Sequence, residues 1–210
     1  MKGRATMIGL CVNCGSHKWN KIVDGSQIIC PDCGYRWSFH KNPLFILTGC
    51  SGVGKTTTAH ELMRSTSDMV VLDADFFYNL MPHETQEDYL EQIEKMEELS
   101  KNLTQAGKPV VWAMAGNLDK LNRVYNRRFF SDIYCLALVC EEESLRQRMT
   151  EGRGIKDEGW IQSSVDYNEY FKTHSEIGDT SFETCNTEGK TVEQVVEAVR
   201  EWVWKKWEKR

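Results

Sequence analysis

The segment Gly49-Cys-Ser-Gly-Val-Gly-Lys55-Thr56 constrains this chain most, because it fits the pattern G-x-x-x-x-G-K-[ST]. A short apolar run over residues 44–48 precedes it, and a helical pattern over residues 55–63 begins within it. A glycine-rich loop between a strand and a helix lets backbone N–H groups and the helix N-terminus point at phosphate oxygens. The sequence therefore predicts a phosphate-binding P-loop in an α/β fold.

The ligand that such a loop predicts is ATP with Mg²⁺. We expect the ammonium group of Lys55 to reach the β and γ phosphates and the hydroxyl of Thr56 to coordinate the metal. The residues predicted to bind the nucleotide are Gly49, Cys50, Ser51, Gly52, Val53, Gly54, Lys55, Thr56 and Thr57.

Downstream of residue 44 the chain alternates between apolar runs and segments with helical periodicity. The predicted strands cover residues 44–48, 69–72, 110–114, 133–139 and 181–185, and helices are predicted over 55–63, 85–106, 144–150 and from Thr191 onward. Strands that alternate with helices indicate a five-stranded parallel, doubly wound sheet, in which ligands bind at the carboxyl ends of the strands.

Acidic residues follow the second predicted strand, in Leu72-Asp73-Ala74-Asp75-Phe76-Phe77, whereas none follows the third. This D-x-D resembles that of small-molecule kinases such as shikimate, gluconate and adenylylsulfate kinases, and Asp75-Phe76-Phe77 is similar to the D-D-F-[FY] of uridine-type nucleoside kinases. The resemblance implies that one carboxylate orders Mg²⁺ and the other accepts a proton from the substrate hydroxyl.

We assign Asp73 to the metal and Asp75 to the acceptor, with the reverse order left open. Because side chains alternate along a strand, positions 73 and 75 are expected to point the same way. The alternative is that both acids only begin a turn or cap a helix.

Further segments extend this resemblance over residues 44–204, which look like bacterial P-loop kinases often labelled AAA-type ATPase or nucleoside kinase. These segments are residues 72–77, 105–111, 128–140, 160–161 and 167–171. The resemblance implies a lid in which Arg148 and Arg153 neutralise the transferred phosphoryl group, since guanidinium binds phosphate in a bidentate manner. Arg146 is interpreted as a surface residue. The cluster Arg123, Arg127 and Arg128 either holds a substrate phosphate or forms a basic helix face.

Residues 1–43 contain two Cys-x-x-Cys-Gly segments separated by fifteen residues, a pattern typical of a zinc ribbon built from short β-strands. The predicted zinc ligands are Cys11, Cys14, Cys30 and Cys33. Two disulfides are the alternative, but they would require an oxidising compartment. The sequence therefore predicts a zinc ribbon over residues 1–43 and a P-loop kinase domain over residues 44–210.

The ribbon has two candidate roles. A basic aromatic face of His17, Lys18, Trp19, Arg36 and Trp37 would suit nucleic acid. We favour a structural or protein-contact role, because a segment this small needs zinc to fold and its aromatic residues supply its core. The net charge of −5 also argues against a general nucleic-acid binder.

No apolar stretch is long enough to span a membrane, and no apolar run follows the basic N-terminus as in a signal peptide. We therefore expect a cytoplasmic protein without a membrane partner.

The favoured function is an ATP-dependent kinase that acts on a small molecule, and we expect a nucleoside or nucleotide as the acceptor. The alternative is a nucleic-acid-binding ATPase or polynucleotide 5′-kinase that uses the ribbon as its reader. A third hypothesis is a regulatory module that binds nucleotide without turnover. The sequence does not identify a protein partner.

Overall fold

A computed structural model of the chain describes residues 7–208, apart from the side chain of Tyr78. Residues 1–6 and 209–210, the outer ends of the two predicted domains, lie outside this range. The N-terminal part contains a three-stranded antiparallel sheet of β1 (Ile22–Asp24), β2 (Gln27–Ile29) and β3 (Arg36–Ser38). Gly25, with a φ of 58°, forms the turn between β1 and β2, as the Asp-Gly pair predicts.

The remaining strands belong to one six-stranded sheet in the order β5-β6-β4-β7-β9-β8. In chain order the elements are β4 (Leu44–Thr48), α1 (Lys55–Ser65), β5 (Val70–Asp73), a 3₁₀ turn (Ala74–Asn79), α2 (Gln86–Leu103), β6 (Val110–Ala113), β7 (Ile133–Val139), α3 (Glu142–Gln147), a π-helical turn (Arg148–Gly152), α4 (Glu158–Thr173), β8 (Glu176–Ile177), β9 (Thr180–Asn186) and α5 (Val192–Trp207).

The five predicted strands are confirmed, and all of them pair in parallel. The prediction missed two elements, the antiparallel edge strand β8 and the helix α4. Strand β4, which leads into the P-loop, lies in the centre of the sheet, with β6 between it and β5.

Both faces of the sheet are covered by helices, as expected for a doubly wound fold. Phe45 and Leu47 of β4 pack in one core with Val196 and Val199 of α5, so the apolar stripe of this last helix is core packing. The neighbouring residues Leu44 and Ile46 face the opposite core, which contains Ile93 and Met96 of α2. Thr191 and Gln194 form a capping box at the start of α5.

The ribbon lies at the edge of the sheet where β4, β6 and β7 begin. Asn42 Nδ2 donates to Thr104 O (2.8 Å), and Gln105 forms hydrogen bonds with the backbone of His40 (2.8 and 2.9 Å). Phe129, which precedes β7, completes the ribbon core with its ring 5.9 Å from that of Phe39. Ribbon and sheet therefore share packed surface at the edge opposite to the carboxyl ends of the strands.

Candidate active site

A cavity of about 900 Å³ lies at the carboxyl ends of the parallel strands. It brings together side chains that are far apart in the sequence: the P-loop, the D-x-D segment and the two lid arginines all line it. The predicted site residues that line it are Ser51, Gly52, Val53, Gly54, Lys55, Thr56, Thr57, Asp73, Asp75, Arg148 and Arg153.

The first two residues of the P-loop face the protein interior instead. Gly49 has a φ of 135°, and a Cβ atom there would come within 2.6 Å of Leu138 O in β7. Glycine is therefore required at this position by packing against the neighbouring strand. The side chain of Cys50 is 1% exposed, and burial raises the pKa of its thiol to about 12. Any contact of Cys50 with a nucleotide would have to involve its backbone.

Lys55 begins α1 and folds back over the loop. Its Nζ donates to Gly49 O (2.9 Å) and Cys50 O (2.7 Å). Partial burial lowers the pKa of the ammonium group. The charge of Lys55 is thus held at the centre of the loop, where the backbone N–H groups and the helix N-terminus already favour an anion.

The two acids lie next to each other, but for a different reason from the one predicted. Asp73 is the last residue of β5, whereas Asp75 belongs to the 3₁₀ turn, so the strand-alternation argument was wrong. Asp73 Oδ1 accepts a hydrogen bond from the backbone N–H of Asp75 (3.0 Å) and caps the turn. Both carboxylates nevertheless line the cavity. Asp73 therefore caps the turn, as the alternative interpretation had it, and also lines the cavity.

Burial, followed by the negative charge of Asp73, raises the pKa of the Asp75 carboxyl, while Lys55 and Arg153 act in the opposite direction. A carboxylate with a raised pKa holds a proton more readily than an ordinary surface aspartate. This electrostatic arrangement suits a group that accepts a proton.

Both predicted lid arginines contact the P-loop. Arg153 Nη1 donates to Ser51 Oγ (2.6 Å), and Arg148 Nη1 donates to Val53 O (3.4 Å) and Thr187 Oγ1 (3.3 Å). Arg146 points away and pairs with the surface acids Glu142 and Glu158, which confirms its interpretation as a surface residue.

The arginines after the third strand of the domain do not line either this cavity or the recess beside Asp75. Arg127 donates to Asn122 Oδ1 (2.7 Å) and Phe130 O (2.9 Å), and Arg128 donates to Tyr125 O (2.7 Å). Arg123 is exposed to solvent. The described residues therefore give no support to the interpretation that these arginines hold a substrate phosphate.

Sequence reasoning missed several residues around the cavity. Trp160 lines it from α4, 5.7 Å below the guanidinium of Arg153, and was missed because α4 was not predicted. A recess of about 30 Å³ adjoins Asp75 and includes Phe77, Gln92 and Asn117. Gln92 and Asn117 belong to no motif and come from separate segments, whereas Phe77 is part of the Asp75-Phe76-Phe77 motif.

The four ribbon cysteines form a compact cluster. The Sγ atoms of Cys11 and Cys33 are 3.7 Å apart, as are those of Cys14 and Cys30, and all four lie within 4.8 Å of one another. Zn–S bonds of about 2.3 Å in a tetrahedron place sulfurs about 3.8 Å apart. The cluster therefore fits one Zn²⁺ ion, and the sulfurs are too far apart for the disulfides considered as the alternative.

The proposed basic aromatic face of the ribbon is largely neutralised. Lys18 pairs with Asp32, Arg36 pairs with Asp24 (3.0 Å), and the ring of Trp37 is buried in the ribbon core. Trp19 remains 73% exposed. This arrangement agrees with the preference for a structural role over nucleic-acid recognition.

Comparison with known proteins gives matches over the P-loop part of the chain. A family model described as an AAA domain matches residues 46–169. Adenylyl-sulfate kinase from Acaryochloris marina (strain MBIC 11017) is 28% identical over 177 residues, with 77% of this chain and 83% of that protein covered.

Solved structures share the fold at low identity. A gluconokinase from Sinorhizobium meliloti 1021 is 15% identical with a TM-score of 0.56, covering 81% of this chain and 96% of its own. Shikimate kinase from Acinetobacter baumannii in complex with shikimate is 18% identical with a TM-score of 0.51, covering 78% of this chain and 94% of its own.

Within residues 7–208, none of the helices combines the length and the apolar character needed to cross a membrane.

Proposed function

We propose that this chain, which belongs to the AAA domain family and is an ATP-dependent kinase, transfers the γ-phosphoryl group of ATP to a nucleoside or nucleotide. The observation that carries this proposal is the single cavity in which the P-loop, Asp75 and two arginines meet. Phosphoryl transfer depends mainly on positioning and on stabilising charge, and these groups supply both.

The reaction assigns a role to each group. The acceptor hydroxyl oxygen attacks the γ-phosphorus, the bond from that phosphorus to the β–γ bridging oxygen breaks, and ADP leaves. The hydroxyl proton passes to Asp75. Lys55 and the guanidinium groups of Arg148 and Arg153 stabilise negative charge on the transferred group.

Mg²⁺ would be held by Thr56 and Asp73. Both side chains line the cavity and offer oxygen atoms, the ligands that Mg²⁺ prefers. A bound Mg²⁺ would supply positive charge to the phosphate oxygens. Asp73 Oδ1 accepts one hydrogen bond from the described residues, the N–H of Asp75, so the carboxylate retains lone pairs for a metal or its water.

The residues beside Asp75 support a nucleoside or nucleotide as the acceptor. The recess there contains the ring of Phe77 and the side-chain amides of Gln92 and Asn117. Aromatic rings stack on bases, and amides form hydrogen bonds with base edges. The exposed ring of Phe76 lies 5.6 Å from that of Phe77 and extends this aromatic surface.

The test is an acceptor screen. Purified protein, ATP and Mg²⁺ are combined with nucleosides, nucleotides or 5′-hydroxyl oligonucleotides, and acceptor-dependent ADP release is measured. We expect release with a nucleoside or nucleotide. Preference for the oligonucleotide would favour the polynucleotide kinase alternative. ATP binding without consumption under any condition would favour the regulatory module and contradict this proposal.

We also propose that the cysteine cluster holds zinc in a structural role and that the protein works in the reducing cytoplasm, which suits its eight free thiols.

Purified protein should contain one zinc atom per chain by elemental analysis. Cys14→Ser should reduce the zinc content strongly because it removes a ligand. Cys185→Ser, outside the cluster, serves as the matched control and should leave zinc content unchanged. Wild-type protein without zinc would refute the assignment.

A further inference from the structure

We propose that Trp160 is a positioning residue, whose indole ring holds the guanidinium of Arg153 over the P-loop for phosphoryl transfer. This inference rests on the proposed function, in which Arg153 stabilises the transferred group, and adds a residue that acts through that arginine. It follows from the different ways in which α4 and the segment before it are held.

The first turn of α4, which carries Trp160, is fixed to the body of the domain. Asp157 Oδ1 accepts a hydrogen bond from the backbone N–H of Trp160 (3.1 Å) and caps the helix. The next residue, Ile161, is 2% exposed and belongs to the core of the domain. Arg146 of α3 also pairs with Glu158 at this end of α4 (2.6 Å). The indole ring therefore lines the cavity from a helix that is anchored at its first turn.

Arg153, in contrast, lies on a segment that is held by few contacts. It directly follows the π-helical turn, and all of residues 150–154 are exposed. Its Nη1 donates to Ser51 Oγ (2.6 Å), and its Cζ lies 5.7 Å from the centre of the Trp160 ring, within the range of cation–π attraction. Without the ring, this long side chain would lose one of these two restraints on its rotamers.

An aromatic partner suits an arginine that has to bind phosphate. A carboxylate partner neutralises the guanidinium and occupies its N–H groups, as Glu158 does for Arg146. A ring face attracts the cation without accepting conventional hydrogen bonds, so the charge and the remaining donors of Arg153 stay available to phosphate oxygens. That charge reaches the reacting groups, because it acts to lower the pKa of both Lys55 and Asp75.

A double-mutant cycle tests whether Trp160 acts through Arg153. With the acceptor identified in the screen, Trp160→Leu should lower kcat about 5-fold with little change in the KM for ATP, since an exposed cation–π contact is a modest restraint. Trp160→Phe should recover most of the lost kcat because it keeps a ring. In an Arg153→Ala background, Trp160→Leu should have no further effect, since residues that act through one contact are not additive. Trp19→Leu, at an exposed tryptophan of the ribbon, is the matched control and should leave kcat unchanged.

Acrylamide quenching of tryptophan fluorescence tests the same contact without an acceptor. Of the seven tryptophans, all within residues 7–208, Trp160 is the one that lines the cavity. A Trp19→Phe background removes the most exposed indole and leaves Trp160 as the remaining exposed one. Arg153→Ala in this background should increase quenching, because the guanidinium no longer covers the ring. The same substitution combined with Trp160→Phe should cause no increase.

The outcomes separate this proposal from the proposed function. An equal loss of kcat in Trp160→Leu with and without Arg153 would mean that the ring acts on the substrate directly, which would overturn the positioning role. Wild-type kcat in Trp160→Leu, or unchanged quenching in Arg153→Ala, would overturn it as well. If the wild-type protein prefers an oligonucleotide, the proposed acceptor fails, and the same cycle with that oligonucleotide decides the role of Trp160. ATP binding without any ADP formation would overturn both proposals.

Discussion

Replacing Lys55 with alanine should lower kcat/KM for phosphoryl transfer by about 10²–10³-fold, the loss typical of removing one charge-stabilising donor from an active site. The ammonium group is held at the centre of the P-loop by two backbone carbonyls, with Asp75 and Asp73 close enough to influence its pKa. No other lysine among residues 7–208 has a side chain hydrogen-bonded to the P-loop. Steady-state ADP release with the acceptor identified in the screen measures the effect.

A matched control distinguishes lost catalysis from lost folding. Lys108→Ala also removes an ammonium group that donates to a backbone carbonyl, Ser67 O (2.7 Å), but it does so on the exposed surface far from the cavity. Both variants should keep the circular dichroism spectrum and a melting temperature near that of the wild type. Wild-type turnover in a folded Lys55→Ala protein would refute the kinase mechanism.

Replacing Asp75 with asparagine should lower kcat by about 10²-fold. A positioned general base contributes about 10²–10⁴-fold, and the loose transition state of phosphoryl transfer favours the lower end. Asparagine keeps the shape of the side chain but removes the proton-accepting carboxylate. ATP affinity, measured by isothermal titration, should change little. Asp166→Asn on the exposed face of α4 is the matched control and should turn over normally.

The pH profile gives an independent readout of Asp75. Because the base works only when ionised, turnover should fall as pH drops through the raised pKa of this carboxyl. Asp73→Asn removes the neighbouring negative charge, so the pKa of Asp75 should fall and the acid limb should move to lower pH. The same variant should weaken Mg²⁺-dependent use of ATP. If Asp73→Asn and Asp75→Asn both keep wild-type turnover and pH profile, the D-x-D segment serves only as a cap.

The N-terminal ribbon lies far from the cavity, which limits how it can influence phosphoryl transfer. It packs on Thr104, Gln105 and Phe129 at the beginning of the parallel strands, whereas the cavity lies at their carboxyl ends. None of the described ribbon residues, 7–43, lines the cavity. We therefore expect it to affect turnover through the stability of the sheet rather than through the chemistry.

Several features could be predicted from the sequence because neighbouring residues determine them. Positive φ angles at Gly52 and Gly54 shape the P-loop locally, and each of the two Cys-x-x-Cys-Gly segments supplies two of the four clustered cysteines. The alternation of apolar runs with helical periodicity predicted the five parallel strands, since burial on both faces of a sheet leaves continuous apolar segments.

Other features depend on packing between distant segments, which no local pattern specifies. Asp75 reaches the cavity from a 3₁₀ turn rather than from the strand, and that turn is positioned by the stacking of Phe77 on Trp112. Which cations face the site was also decided by tertiary structure. Arg148 and Arg153 contact the P-loop across about a hundred residues of chain, whereas Arg127 is held by its own loop. A basic residue has the same propensity in either place, so only the packed fold determines which arginines contact the P-loop.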